Sequence, residues 1–265
     1  QERCWLARSS LPASLAVSLL LLRGAEREGG TGAGARLARP QHAMPGLAHH
    51  VPEEFAGCVM SAFLSCLAFF LPDALGVPFA YQTSIAAFFG SLLIYDALSL
   101  RSVLNPALHF QQWLLGTAAP LPCLILSAVD LAGYIVGNWF GLILIRSLDP
   151  HIDFTPPPPN TSYGFTIAIE ASILVLLQIF ESRVSRSVVL QSMFCTAIVF
   201  LFLDTTGSYS SPAAYFSKVV LSEVEFFHPF FSAYLIGPYL GSLIALPFLS
   251  KQKAAVPDSV RPKTD

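Results

Sequence analysis

Six long apolar stretches, separated by short polar segments, dominate the sequence after residue 53. Most approach the roughly 20 residues that a helix needs to cross the hydrocarbon core of a bilayer, and two are short by that criterion. The stretches are Glu54–Leu71, Val77–Leu100, Leu121–Leu148, Phe165–Phe180, Val188–Leu203 and Phe230–Leu249. The pattern predicts an all-α membrane protein with six transmembrane helices.

Composition agrees with a chain whose main partner is the lipid bilayer. Hydrophobic residues make up 54% of the 265 residues and charged residues 12%, about half of the quarter that is usual in soluble proteins. The formal net charge of −2 gives no basic face of the kind that nucleic acid requires. Nucleic-acid binding is therefore not expected.

The positive charges predict how the chain lies in the membrane. An even number of spans puts both termini on one side, and an excess of Lys and Arg marks the cytoplasmic side. Most of the basic residues around the spans fall on the side of the termini, which predicts that both termini are cytoplasmic. The loop 149–164 then lies on the opposite side, and its sequon Asn160-Thr161-Ser162 makes Asn160 a glycosylation candidate.

The ends of the chain differ from the apolar part. Residues 1–43 are rich in Gly and Arg and lack apolar periodicity, so we expect a disordered or ill-defined segment, with Met44 as the expected true start. Residues 44–250 form the predicted membrane domain, and 251–265 a cytoplasmic tail.

The membrane domain contains an internal duplication. Three landmarks recur in the same order, between 104 and 116 residues apart: Glu54 with Glu170, Asn105-Pro106-Ala107 with Ser211-Pro212-Ala213, and Gly133 with Gly237. Such recurrence indicates two repeats, at about 53–148 and 164–250. Each repeat holds three spans, so the second must be inverted relative to the first.

The segments after the two tripeptides predict half-helices. Each has about 11 residues, too few to span a bilayer, and each starts with proline after a polar residue, a pattern typical of a helix start. Two re-entrant half-helices would meet at their N-termini in mid-membrane. Glu54 and Glu170 would accept hydrogen bonds from the loop backbone, unless Glu54 is merely a charge at the end of its span.

These residues together resemble the aquaporin (major intrinsic protein) family over about residues 53–250. Asp204, Thr206 and Gly207 also match the family's lead-in to its second signature motif. Two departures are that Ser211 replaces the motif's asparagine and that Ala214 replaces the arginine after it. Such departures are similar to the superaquaporin subgroup, often found in intracellular membranes.

The resemblance implies a passive channel for water and small neutral solutes such as glycerol, urea or hydrogen peroxide. It implies a homotetramer with no cofactor and no metal, in an endoplasmic-reticulum or vesicle membrane rather than the plasma membrane. The family's selectivity ring carries over to four uncharged positions: Ile85, Val199, Ser208 and Ala214. At the centre, we expect Asn105 to be the principal side-chain donor and Ser211 mainly to cap its own helix.

Other functions fit the sequence less well. One alternative is a poorly conducting protein of the same fold with a structural or regulatory role in an intracellular membrane. An intramembrane aspartyl protease using Asp96 and Asp130 lacks the Gly-x-Gly-Asp motif, and a serine hydrolase built on Ser211 lacks Gly-x-Ser-Gly. We therefore expect no enzyme, and we interpret His109 and His228 as interfacial.

Overall fold

The structure is a computed structural model that describes residues 47–98, 102–156, 159–183, 187–222 and 230–254. The side chains of 47–49, 183 and 250–254 are not described. The predicted segment 1–43, residues 255–265 of the predicted tail and His228 lie outside these ranges. All described residues belong to one compact unit, Ala43–Asp265.

The regular structure of the described residues is entirely helical, which confirms the all-α prediction. The helices are α1 (Leu47–Ala74), α2 (Ala80–Ala97), α3 (Pro106–Leu114), α4 (Pro120–Leu148), α5 (Tyr163–Arg183), α6 (Val188–Thr206), α7 (Pro212–Leu221) and α8 (Phe231–Ala254).

Five of these helices are long and apolar enough to cross a membrane: α1, α4, α5, α6 and α8. Helix α2 has 18 residues but is not among them, because Gln82 and Thr83 near its start and Asp96 near its end lower its mean hydropathy. The helices mark this chain as a membrane protein. Helix α1 begins at Leu47, so Glu54 lies within the helix, and it is only 5% exposed.

Local sequence rules account for the helix starts. Proline occupies the first turn of α3, α4 and α7, where its missing N–H costs no helical hydrogen bond. Asn105 caps α3 by accepting from the N–H of Ala107. Gly207 ends α6 with a φ of 80°, a left-handed conformation that glycine adopts without steric penalty.

Glycines lie where the most extensively packed helices meet. The most extensive contacts are between α1 and α4 and between α5 and α8. A Cβ atom added at Gly133 would lie 2.5 Å from Cys58 Cβ on α1, and one at Gly241 would lie 2.5 Å from the Ala171 carbonyl oxygen on α5. Glycines at these positions therefore allow close helix approach in both repeats.

The six long helices contact one another in the order α4, α1, α2, α6, α5, α8. Replacing each helix by its counterpart in the other repeat reproduces this order in reverse, as an inverted repeat requires. The short helices α3 and α7 each pack against both α4 and α8, and they also contact each other. At 1.5 Å per residue they are only about 14 and 15 Å long, so neither can span a bilayer.

Candidate functional site

The two tripeptides have the same backbone shape. Asn105 and Ser211 are extended, with φ of −150° and −129°. The residue before each is left-handed: φ is 61° at Leu104 and 47° at Ser210. This conformation costs of order 1–3 kcal/mol for a residue with a side chain, so the surroundings must hold both segments in place.

Two buried carboxylates hold these segments. Glu54 Oε1 accepts from the N–H groups of Val103 and Leu104, at 2.7 Å each. Glu170, which is fully buried, accepts from the Ser210 N–H at 2.8 Å and from the Thr206 hydroxyl at 2.6 Å. In both repeats a carboxylate binds the N–H of the left-handed residue itself, through a charge-assisted hydrogen bond.

The two segments also bind each other across the repeat boundary. Asn105 Nδ2 donates to the carbonyl oxygen of Ser210 at 2.9 Å. The Ser211 hydroxyl donates to the carbonyl oxygen of Leu104 at 3.5 Å. We call the region where Asn105 and Ser211 meet the junction. It brings the N-termini of α3 and α7 together.

The expectation that Ser211 caps its own helix is wrong. Ser211 occupies the N-cap position of α7, but its side chain makes no capping hydrogen bond. Its hydroxyl is directed instead to Leu104 in the other repeat. At 3.5 Å that contact is long for an O–H···O bond, which is usually 2.7–2.8 Å. Asn105, whose Oδ1 accepts from the Ala107 N–H at 3.0 Å, is the better-anchored residue of the pair.

The four predicted ring positions fall into two groups. Ile85 and Val199 belong to one apolar cluster with Phe88 and Phe200. Ser208 and Ala214 lie on either side of Ser211 in the chain, Ser208 buried and Ala214 half-buried.

Ser208 stands out within the second group. Its backbone is left-handed, with a φ of 50°, and its buried hydroxyl has no hydrogen-bond partner among the described residues.

A buried histidine beside Glu54 was missed from the sequence. His109, in the first turn of α3, is 1% exposed, so its interpretation as interfacial is wrong. Its Nε2 lies 3.2 Å from Asp130 Oδ2 and 3.6 Å from Glu54 Oε1, and the Cys58 thiol donates to Asp130 Oδ1 at 3.3 Å. Asp130 is the residue from which a buried partner could have been predicted, because a carboxylate inside an apolar span needs one.

Among the described residues, these three could also hold a metal ion, since ligand atoms of Glu54, His109 and Asp130 all lie within 4.8 Å of one another. However, Glu54 Oε1 already accepts two backbone hydrogen bonds. A protonated His109 would balance one of the two carboxylate charges, as buried charges require. We interpret the group as an ionic support for the first tripeptide. The second repeat relies on Glu170 with neutral partners.

The candidate glycosylation site lies at the end of α6. Asn160 is exposed. Its Nδ2 donates to the Asp204 carbonyl oxygen at 2.8 Å, and its N–H donates to the Thr205 carbonyl oxygen at 2.9 Å.

Comparison with known proteins identifies the fold. No protein-family model matches the chain, and no curated protein matches it. Among solved structures, the aquaglyceroporin from Plasmodium falciparum superposes with a TM-score of 0.54 over 78% of this chain and 96% of that one. The sequences are 16% identical, so the likeness extends to the fold alone. This chain is a membrane protein with an aquaporin-like fold.

Proposed function

We propose that the protein is a passive channel of the aquaporin kind, which lets water and small neutral solutes cross the membrane through the junction. In this proposal α1, α2, α4, α5, α6 and α8 span the bilayer, and α3 and α7 enter it from opposite faces. The observation that carries the proposal is the reciprocal contact of Asn105 with Ser210 and of Ser211 with Leu104. Irregular backbone at membrane depth is tolerated where it is buried in protein or lines an aqueous cavity.

The junction has the properties of a filter for neutral solutes. The N-terminus of a helix carries a partial positive charge of about half an elementary unit, and two N-termini meet here. Their combined field disfavours cations. The Asn105 amide has two hydrogens, of which one is donated to Ser210. The other is available to a passing water or hydroxyl oxygen.

The ring positions Ile85, Val199, Ser208 and Ala214 extend this proposal to solute choice. No charged side chain occurs among them, and three of the four are apolar. A ring of this composition admits glycerol, urea or hydrogen peroxide alongside water. Ser208, whose hydroxyl is buried, is the polar member of this ring.

Introducing a charge at Ala214 should narrow the pathway. In Ala214→Arg we expect the glycerol flux to fall more than the water flux, because a guanidinium takes up space that glycerol needs. Ala214→Gln, which adds length without charge, should have a smaller effect. The fluxes are measured by stopped-flow light scattering of proteoliposomes. An unchanged glycerol flux in Ala214→Arg, in a protein that conducts, would mean that Ala214 does not line the pathway.

The same proposal makes the protein a superaquaporin-like homotetramer in an intracellular membrane. Its termini are cytoplasmic, and Asn160 is glycosylated. The exposure of Asn160 is compatible with a glycan.

The experiment that tests channel function is swelling of proteoliposomes in an inward glycerol gradient. We expect swelling several times faster than in empty liposomes of the same size. Swelling at the rate of empty liposomes would favour the alternative, a poorly conducting protein with a structural or regulatory role.

A further inference from the structure

A lysine on the second short helix faces four aromatic rings. The Lys218 Nζ atom lies 5.1 Å from the ring centre of Tyr209, 5.3 Å from Phe70, 5.7 Å from Phe154 and 5.8 Å from Phe69. All four distances are within the roughly 6 Å at which a ring attracts a cation. The rings come from α1, from the segment after α4 and from the segment before α7. We call these rings the aromatic cage.

Within the part of the chain that the structure describes, no carboxylate pairs with this lysine. The ion pairs found among the described residues involve His109 and not Lys218. Lys218 is half-buried, and its Nζ atom is not fully enclosed by the protein. The aromatic cage therefore holds the ammonium without enclosing it completely.

Lys218 and the aromatic cage are neighbours of the proposed ring positions. Lys218 lies four residues after Ala214 on α7, so the two share one face of the helix. Tyr209 directly follows Ser208 in the chain. Phe69 packs against the cluster that contains Val199 and Ile85. The backbone of Lys218 thus lies about one helical turn beyond Ala214, further from the junction.

We propose that Lys218 adds charge selectivity to this pathway, as a fixed cation that the aromatic cage holds beside the uncharged ring. This inference rests on the proposed channel function. Ala214 leaves the ring without the cation that an arginine would supply, and Lys218 restores a positive charge one turn away. A charge beside the ring leaves its width unchanged. Neutral solutes therefore pass, while small cations are repelled before they reach the junction.

The cage explains why a lysine can serve here. An ammonium surrounded by carbon alone would be costly in a membrane. Four ring faces offset part of that cost without cancelling the positive charge, as a carboxylate would. Lys218 also lies in the last turn of α7, where a cation is favoured by the helix dipole. That contribution stabilises the helix and by itself has no effect on solute choice.

Urea and guanidinium test the inference, because they have nearly the same planar shape and differ in charge. Proteoliposomes containing the full chain are compared in gradients of urea and of guanidinium chloride at equal osmolarity. The wild type should pass urea and exclude guanidinium. Lys218→Met keeps the length and apolar contacts of the side chain and removes the charge. It should raise the ratio of guanidinium to urea flux roughly tenfold. A factor of this size corresponds to an interaction energy between two unit charges that lies between the value in bulk water and the value near a protein surface.

The controls separate charge from structure. Lys218→Arg should keep the wild-type ratio, and Lys218→Gln should behave like Lys218→Met if the methionine variant does not fold. An unchanged ratio in a variant with normal urea flux would overturn the role of Lys218 and leave the channel proposal intact. Absence of urea, glycerol and water flux in the wild type would overturn both.

Discussion

Gly137→Ala is expected to prevent α4 from packing against α1 and to lower the yield of folded protein sharply. A Cβ atom at Gly137 would collide with the carbonyl oxygen of Val59 and would lie 2.8 Å from Ala62 Cβ. Backbone atoms of a packed helix cannot move aside as a flexible side chain does. Overpacking typically costs about 1–3 kcal/mol, and a collision with backbone belongs at the upper end of that range.

The matched control is Gly90→Ala on α2. A Cβ atom there would meet nothing within 4 Å, and alanine is about 0.8–1.0 kcal/mol better than glycine within a helix. The measurement is the melting temperature of the purified protein in detergent. We expect Gly137→Ala to melt roughly 5–10 °C lower, at about 2–4 °C per kcal/mol for a chain of this size, and Gly90→Ala to melt no lower than the wild type. Equal melting temperatures for the two variants would contradict the packing of α1 and α4.

The second large effect is expected at Asn105. Asn105→Ala removes the cap of α3, the partner of the Ser210 carbonyl and the amide group that we propose as a donor to solutes. Loss of an N-cap costs about 1 kcal/mol, and a buried carbonyl without a donor costs about 1–3 kcal/mol more. We expect water flux through this variant to fall several-fold at equal protein density in the vesicles.

The two repeats should respond unequally. Ser211→Ala removes only the long contact with Leu104 and should conduct nearly as well as the wild type. Ser211→Asn restores the residue of the first motif and should fold and conduct water at least as well. Measurement is by stopped-flow shrinkage of vesicles in a hyperosmotic buffer. If alanine is tolerated equally at both positions, neither side chain governs permeation.

Local rules were sufficient to predict where the short helices begin. Proline fixes its own φ, and the polar residue before it provides a cap, so Asn105-Pro106 predicts the start of α3 without knowledge of the fold. The glycines of α4, Gly133, Gly137 and Gly141, are four residues apart, so their spacing alone predicts that they lie on one face of the helix. The duplication relates the two tripeptides to each other without any knowledge of the contact between them.

The features that were missed depend on contacts between distant parts of the chain. His109 and Asp130 lie on different helices, and only their packing shows that each is the other's partner. The Ser211 hydroxyl turns to Leu104 because the first repeat offers it a carbonyl oxygen. The rings around Lys218 come from three separate segments, so the sequence alone does not predict that they surround this lysine.

In the proposed function, an aqueous pathway runs through the junction. It is tested most directly by the temperature dependence of osmotic water permeability in proteoliposomes. Water that moves along hydrogen-bonding groups does not have to dissolve in hydrocarbon, so its rate should change little with temperature. We predict a permeability above that of empty liposomes with a clearly weaker temperature dependence, and its loss in Asn105→Ala. A permeability equal to that of empty liposomes, with the same steep temperature dependence, would contradict the account.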